Sequence, residues 1–271
     1  MGKEGPSIKG MFDLSGQVAM VTGAAQWIGW EIAEAYAELG AKIVITSREG
    51  DKAQIAAAEL DERFGIEAMG LALEVRDPRS VAEAFDRAAQ RFGRLDILVN
   101  NAGGAPKSDK YHLWERRLED WTYVIETNLT GAFLCTQAAA KIMMPAQRGS
   151  IVNVASIAGL VGRDRSMYEG LPMRPNLVDY AACKAGVLGF TRDAAAELAP
   201  YHIRVNAISP GGIERGQPPE FVRRYSQATA LGRMGEEGHE LKGAAVLLAS
   251  DAGRYMTGQN IVVDGGFAMY K

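Results

Sequence analysis

The sequence predicts a single α/β domain, built as a doubly wound parallel sheet of about seven strands with helices on both faces. Short apolar runs alternate with longer helical stretches along all 271 residues, which is typical of parallel strands joined by crossover helices. The strand runs are apolar on both faces, as in a sheet that is covered on both sides. Because no linker, repeat or low-complexity segment interrupts this alternation, we expect one domain over residues 1–271, with residues 1–12 as an N-terminal extension.

The expected elements follow from the apolar runs and the residues that end them. Strands are predicted at residues 17–22, 42–46, 68–75, 95–99, 150–155, 203–208 and 261–263, and helices at 28–39, 51–64, 80–92, 118–144, 180–198 and 237–249. Gly40 follows the first helix, where a left-handed cap favours glycine, and Pro78 suits the start of the third. Two long connections remain, 157–179 and 212–232. We predict that both are substrate loops, since long loops in compact domains are usually functional.

Composition excludes several classes of function. The net charge of −3, without a strongly basic segment, argues against nucleic acid as a partner. Residues 1–12 lack the apolar core of a signal peptide and no run of 18 apolar residues occurs, so we expect a soluble cytoplasmic protein without a membrane partner. Cys135 and Cys183 have no metal-like spacing, which predicts two reduced, buried thiols and no metal site.

A glycine-punctuated turn joins the first strand to the first helix. The turn spans Thr22 to Gly29 and leads directly into the helix N-terminus. Free backbone N–H groups and the helix dipole make such a turn suitable for a pyrophosphate. A tight turn without a ligand is an equally good interpretation of this motif alone.

A tyrosine and a lysine four residues apart form the second candidate motif. Tyr180 and Lys184 precede a helical continuation, so both side chains project from one helix face. A cation held near a phenol favours the phenolate and lowers a pKa of ~10 towards neutral. Such a tyrosine can exchange a proton with an alcohol or a carbonyl. The spacing by itself is common in helices without any function.

Seven motifs in one order identify a family resemblance. They are Thr22-Gly23 with Gly29, Asn100-Asn101-Ala102-Gly103, Asn128-Leu129-Thr130-Gly131, Ser156, Tyr180 with Lys184, Pro210-Gly211-Gly212, and Gly258-Gln259 with Val263-Asp264-Gly265-Gly266. From about residue 12 to residue 267 the chain resembles the short-chain dehydrogenase/reductase family. The resemblance implies a Rossmann-like fold and NAD(P)-dependent hydride transfer between a secondary alcohol and a ketone.

The resemblance also implies roles for individual residues. Tyr180 would be the general acid/base, and Lys184 would lower the tyrosine pKa and bind the nicotinamide ribose. Ser156 would hold the substrate oxygen, and Asn128 would anchor a water that links Lys184 to solvent. The implied coenzyme contacts are Gly23, Gln26, Trp27, Ile28, Gly29, Ser47, Arg48, Glu74, Val75, Asn101, Ala102, Gly103, Tyr180, Lys184, Pro210, Gly211 and Ile213.

Three of the family's motifs are altered in this chain. Trp27 stands where members usually have a glycine beside the pyrophosphate. An outward ring would leave the turn usable, whereas an inward ring would block it, and we expect the outward orientation. Glu74 replaces an aspartate that usually faces the adenine. Glu214 and Arg215 stand where a threonine is often found.

Coenzyme preference is predicted from the end of the second strand. Ser47 stands where NAD-preferring relatives tend to carry aspartate, and Arg48 follows it. A guanidinium can pair with a 2′-phosphate through two parallel hydrogen bonds. We therefore predict NADP(H) as the preferred coenzyme. NAD(H) stays open, because Arg48 could instead stack on the adenine.

The loops give the only information on the substrate. Tyr180 follows Ser156 by 24 positions, roughly twice the usual distance in the family. The loops resemble branches that act on sugars, polyols and sugar acids, with candidate contacts at Arg163, Arg165, Tyr168, Arg174 and Arg215. A 3-oxoacyl-thioester reductase of the fatty-acid type is one alternative, and a catalytically impaired dinucleotide-binding protein is another. Relatives commonly pair helices, so a homotetramer is expected.

Overall fold

A computed structural model gives the structure of residues 5, 7–106, 110–175 and 177–270. Seven parallel strands form one sheet in the order β3-β2-β1-β4-β5-β6-β7. The strands are β1 Val18–Val21, β2 Lys42–Ser47, β3 Ala68–Ala72, β4 Ile97–Asn100, β5 Gly149–Val154, β6 Ile203–Pro210 and β7 Asn260–Val263. This order confirms the doubly wound, Rossmann-like fold that the alternating pattern predicts.

Helices cover both faces of the sheet. They are α1 Ile8–Met11, α2 Trp27–Glu38, α3 Gly50–Phe64, α4 Pro78–Phe92, α5 Leu118–Ile125, α6 Gly131–Ala146, α7 Val178–Leu198, α8 Pro219–Gln227 and α9 Lys242–Ala249. Successive residues of a strand point to opposite faces, so β1 contributes to two separate cores. Ala19 and Val21 pack with α2, α3 and α9, whereas Val18 and Met20 pack with α4, α6 and α7.

Most predicted boundaries agree with the structure to within two residues, and four differences are larger or change the kind of element. The helix expected at 118–144 is interrupted by a π-helical segment, Glu126–Thr130. Helix α8 lies inside the loop expected at 212–232, where consecutive prolines at its start disguise a helical segment. Helix α9 begins at Lys242 and not at 237, because Gly238 has a left-handed backbone (φ +83°) that a helix cannot contain. Strand β3 ends at Ala72, since the chain then turns towards α4.

Other expectations concern the ends of the chain and the cysteines. Helix α1 falls within the N-terminal extension; residues 1–4 and 6 of that extension, and residue 176 of the first loop, lie outside the described residues. Cys135 and Cys183 are buried and unpaired, as predicted. Burial raises the pKa of Cys135 to about 12 and that of Cys183 to about 11. Among the described residues, no helix is long and apolar enough to cross a bilayer and no cluster of residues could bind a metal.

Candidate active site

A cleft of about 660 Å³ opens at the carboxyl ends of the strands. Strand β1 pairs with β2 on one side and with β4 on the other. The strand order therefore reverses beside β1, and at such a reversal α/β sheets have the crevice in which they bind ligands. Every implied coenzyme contact except Ile213 lines this cleft, and so do the four implied catalytic residues. Ile213 lines an adjoining pocket. Positions far apart in the sequence therefore meet in one continuous site.

The turn between β1 and α2 has the geometry of an anion site. Gly23 has a left-handed backbone (φ +63°), and a Cβ added to Gly29 would lie 2.4 Å from Asn101 Nδ2, so both positions require glycine. Asn101 Nδ2 donates to the carbonyls of Thr22 (2.8 Å) and Gly23 (3.1 Å). No side chain caps α2, which leaves its first N–H groups for a ligand. The residues present fit the diphosphate of a dinucleotide.

Trp27 is the first residue of α2 and has an unusual backbone. Its φ of +54° lies in the left-handed region, which explains why glycine is the usual residue there. The side chain is 57% exposed, and the Cζ atom of Arg215 lies 5.4 Å from the ring centroid. The ring thus lies against the loop after β6, and the residue also lines the cleft.

Charged side chains gather at the opposite end of the cleft, beyond β2. Arg48 Nη1 donates to Tyr123 Oη (3.2 Å). Lys52, which the sequence analysis missed, lines the cleft and pairs with Glu49 (2.8 Å). A basic residue in the first turn of the helix after β2 is the sequence signal that could have identified Lys52.

Glu74, also at this end, is occupied by Arg76. The Arg76 guanidinium donates to both carboxylate oxygens at 3.1 Å. This pair lowers the pKa of Glu74. The carboxylate therefore stays ionised at neutral pH, and Arg76 uses part of its hydrogen-bonding capacity.

Tyr180 and Lys184 lie one turn apart on α7, as their spacing predicts. Lys184 Nζ donates to the carbonyl oxygen of Val154 (2.7 Å) and lies 5.5 Å from the centroid of the Tyr180 ring. The lysine is only 5% exposed, so its charge is held in place by the end of β5. Ser156 follows the same strand and lines the same cleft as Tyr180. Its Oγ accepts a hydrogen bond from the Ala158 N–H (3.1 Å).

Asn128 lies within the π-helical segment Glu126–Thr130. Its Nδ2 donates to the carbonyls of Gly104 (2.7 Å) and Val124 (2.9 Å). Its Oδ1 accepts from the Gly104 N–H at 3.4 Å. A Cβ on Gly103 would lie 2.7 Å from this oxygen, so glycine is needed for the close approach. Asn128 thus fixes the loop after β4 against a helical segment that packs on α7, and π segments of this kind are frequent at functional sites.

An ion pair that the sequence analysis missed fixes the start of α7. The Asp179 carboxylate accepts from the Tyr180 N–H (2.8 Å) and from Arg116 Nε (2.7 Å). The side chains of Arg116 and Asp179 are only 5% and 2% exposed. The pair ties the segment before α5 to the first turn of α7. Because the two residues are 63 positions apart, no local pattern could have revealed it.

A pocket of about 260 Å³ adjoins Ser156 and Tyr180. Of the implied substrate contacts, Arg163, Tyr168 and Arg174 line it, and Arg163 Nη1 donates to Tyr168 Oη (2.7 Å). Arg165 instead lines a separate apolar cleft of about 600 Å³, which shares Tyr168 and Arg174 with the pocket. Arg215 lines the cleft of about 660 Å³ and not this pocket.

The far wall of this pocket comes from residues that the sequence analysis did not single out. Phe221 and Tyr225 project from α8, and Tyr225 stacks on Phe267 with centroids 4.3 Å apart. The Tyr225 hydroxyl accepts from the Gly212 N–H (2.6 Å), and burial raises its pKa to about 12. The apolar i, i+4 spacing of Phe221 and Tyr225 is the signal that could have revealed both helix and wall.

Comparison with known proteins gives relatives of one family that carry different activities in their names. A family model described as enoyl-(acyl carrier protein) reductase matches residues 23–268. The chain is 36% identical to a 3-oxoacyl-(acyl-carrier-protein) reductase of Aquifex aeolicus, over 93% of this chain and 98% of that protein. It is 39% identical to a D-threitol dehydrogenase of Mycolicibacterium smegmatis, with 95% of each covered.

A solved structure supports the same conclusion. A short-chain type dehydrogenase/reductase from Mycobacterium marinum superposes with a TM-score of 0.85 at 35% identity, over 96% of this chain and 99% of that one. Members of the family use nicotinamide dinucleotides and act on CH–OH groups. With the ordered motifs, the sheet order and the cleft in agreement, the chain belongs to the short-chain dehydrogenase/reductase family of oxidoreductases.

Proposed function

We propose that the protein interconverts a secondary alcohol and a ketone in a polyol or sugar acid, with NADP(H) as the preferred coenzyme. The observation that carries the substrate class is the Arg163–Tyr168 pair, which lines the same small pocket as Ser156 and Tyr180. A guanidinium and a phenol at this position suit the hydroxyl or carboxylate oxygens of such a substrate.

The reaction needs a hydrogen-bond donor for the substrate oxygen and a group that exchanges its proton. Ser156 and Tyr180 both line the junction of cleft and pocket. Ser156 donates to the substrate oxygen, and Tyr180 takes the proton from the alcohol or returns it to the ketone. Lys184, held by Val154, places its positive charge beside the phenol ring. The nicotinamide, when bound, supplies or accepts the hydride.

The preference for NADP(H) rests on the cations beyond β2. Arg48 and Lys52 both line the end of the cleft that would hold the adenosine ribose. The Ser47 hydroxyl accepts from the Glu49 N–H (3.2 Å), and no carboxylate stands at position 47 to select an unmodified ribose. Glu49 is the nearby acid, and its pairing with Lys52 reduces its capacity to repel a phosphate.

A 3-oxoacyl-thioester reductase is the second candidate. Met167, Met173 and Met234, with Phe221 and Phe267, give the pocket an apolar wall, and the apolar cleft of about 600 Å³ adjoins it. An acyl chain would suit these surfaces better than a polyol would. The Aquifex aeolicus relative carries that activity in its name, and the threitol dehydrogenase matches equally well.

The third candidate is a dinucleotide-binding protein without catalysis. It depends on Trp27 obstructing the coenzyme turn. The exposed position of Trp27 and the uncapped N-terminus of α2 support a usable turn. The presence of Asn128, Ser156, Tyr180 and Lys184 in one cleft also favours an enzyme over a binding protein.

A substrate panel tests the proposal. Polyols, sugar acids and a short 3-oxoacyl thioester are each assayed with NADP(H) and NAD(H), following the nicotinamide absorbance. We expect the highest kcat/KM for a polyol or sugar acid with the phosphorylated coenzyme. A kcat/KM at least tenfold higher for the thioester would assign the second function. Coenzyme binding without turnover of any compound would favour the third.

A further inference from the structure

Arg215 has a guanidinium whose hydrogen-bonding capacity the protein does not use. Its Nε and Nη2 atoms are buried and have no hydrogen-bond acceptor among the described residues. Glu237 Oε1 lies 3.1 Å from Nε and compensates the charge, but the geometry is not that of a hydrogen bond. Buried donors normally have partners, so the guanidinium is a group for which an acceptor is missing.

The position of Arg215 indicates which acceptor is missing. The residue lies in the loop after β6, whereas Trp27 belongs to the coenzyme turn after β1, and both line the nucleotide cleft. Their contact, with Cζ 5.4 Å from the ring centroid, joins the two sides of the cleft beside the uncapped N-terminus of α2. That N-terminus is where the diphosphate fits.

We infer that Arg215 is a binding residue for the coenzyme diphosphate, held towards the cleft by its contact with Trp27. This inference rests on the proposed function, because it requires a dinucleotide in the cleft. The guanidinium donates to a diphosphate oxygen on the side opposite the N–H groups of α2, so the anion is bound from both sides. Trp27, which is more than half exposed, forms the solvent-facing side of this contact.

Binding of ADP-ribose 2′-phosphate by calorimetry tests the inference, since this compound has the diphosphate but no nicotinamide. Arg215→Met should weaken its binding by about tenfold or more, and Arg215→Lys, which keeps the charge, by less. Arg223→Met removes the same charge from the exposed face of α8 and should leave the affinity unchanged. Unchanged affinity in Arg215→Met, with a higher KM for the substrate, would assign Arg215 to the substrate and overturn the inference.

A fluorescence measurement on variants that retain Arg215 gives an independent test. ADP-ribose 2′-phosphate should change the tryptophan emission of the wild type, and this change should be largely lost in Trp27→Phe. An identical change in both proteins would place the bound anion away from the Arg215–Trp27 contact and contradict the inference. A wild type that binds neither this compound nor either coenzyme would instead refute the proposed function itself, so the two failures are distinguishable.

Discussion

Tyr180 and Lys184 share one face of α7 because four residues make slightly more than one helical turn. In Tyr180→Phe, only the hydroxyl that exchanges the proton is lost. We expect turnover to fall ~100-fold or more, while the Kd for NADPH measured by calorimetry changes little. Tyr255→Phe, at a fully exposed position, is the control and should keep its turnover. Near-normal turnover in Tyr180→Phe would remove the tyrosine from the reaction.

Arg48 carries the predicted preference between coenzymes. Arg48→Asp places a carboxylate near the expected 2′-phosphate, so an attraction becomes a repulsion. We expect the ratio of kcat/KM for NADPH over NADH to fall by ~10- to 100-fold, because a charge-assisted hydrogen bond contributes roughly 1.5–3 kcal/mol. Arg87→Asp makes the same charge change on the exposed face of α4. A wild type that already prefers NADH would contradict the assignment of Arg48.

Trp27 combines a left-handed backbone with a large side chain. Replacement by glycine and by alanine removes the ring equally, but only glycine relieves the strain at φ +54°. Trp27→Gly should therefore be more stable than Trp27→Ala by about 1 kcal/mol in denaturant unfolding. The change in coenzyme affinity on Trp27→Gly should stay below ~10-fold. Equal stability of the two variants would show that the backbone there is not strained.

The sequence predicted the residues that line the cleft better than the residues that hold them in place. Tyr180, Lys184, Ser156 and Asn128 were predictable because each belongs to a short motif. The partners Asp179 and Arg116 were not, since their contact joins distant segments and leaves no local pattern. Phe221 and Tyr225 were missed because the prolines before them indicated a loop.

Among the secondary structure elements, the π-helical segment was the least predictable. A continuous apolar pattern from 118 to 144 is compatible with one long helix. The helix widens at Glu126–Thr130 because the side-chain amide of Asn128 donates hydrogen bonds to the carbonyls of Gly104 and Val124. That competition between side chain and backbone depends on a loop that is remote in sequence.

Helix α8 is joined to the 157–179 loop by Arg224, beside the ring contact between Tyr168 and Phe221. Its Nη1 donates to the carbonyls of Ser166 (3.1 Å) and Glu169 (2.9 Å), and its Nε donates to Glu220 (2.7 Å). Arg224→Met should therefore lower Tm by about 2–4 °C and raise the substrate KM, with coenzyme affinity unchanged. Arg223→Met removes the neighbouring arginine, which pairs with the same carboxylate but makes none of these carbonyl contacts, and should leave KM unchanged.

The pH dependence of this link follows from Glu220. Hydrogen bonds from Arg223 and Arg224 lower its pKa to about 2. A lowered carboxyl pKa stabilises the folded state fully above the ordinary value of about 4.3 and progressively less as the pH falls towards 2. The difference in Tm between wild type and Arg224→Met should thus be constant from neutral pH down to about pH 5. A difference that already shrinks between pH 7 and pH 5 would implicate another group.

At the scale of the whole molecule, the doubly wound parallel sheet was predictable because alternating strands and helices admit few topologies. Exposed apolar side chains were harder to anticipate, since they depend on which helix faces remain uncovered. Phe133 on α6 is 45% exposed and contacts Phe190 of α7, and Leu118 at the start of α5 is 72% exposed. An apolar face on adjacent helices favours association between copies.

We expect a homotetramer that forms through this face. Phe133→Glu should shift the mass measured by light scattering towards a smaller species at micromolar concentration, because a charge would be buried at the contact. Ile55→Glu makes the same change at an exposed position of α3 and should keep the tetramer. A wild type with a monomer mass under these conditions would refute the expectation.

The Arg224 contacts have a consequence for how new specificities could arise in this fold. They bind the 157–179 loop and α8 to each other, while the coenzyme turn is held separately by Asn101. If only α8 came from another dehydrogenase, the carbonyl groups of the 157–179 loop would lose their arginine. If only the loop came from another dehydrogenase, Arg224 would lose these carbonyl groups. Recombination should therefore yield active chimaeras mainly when the 157–179 loop and α8 come from one parent, whichever parent donates the coenzyme turn.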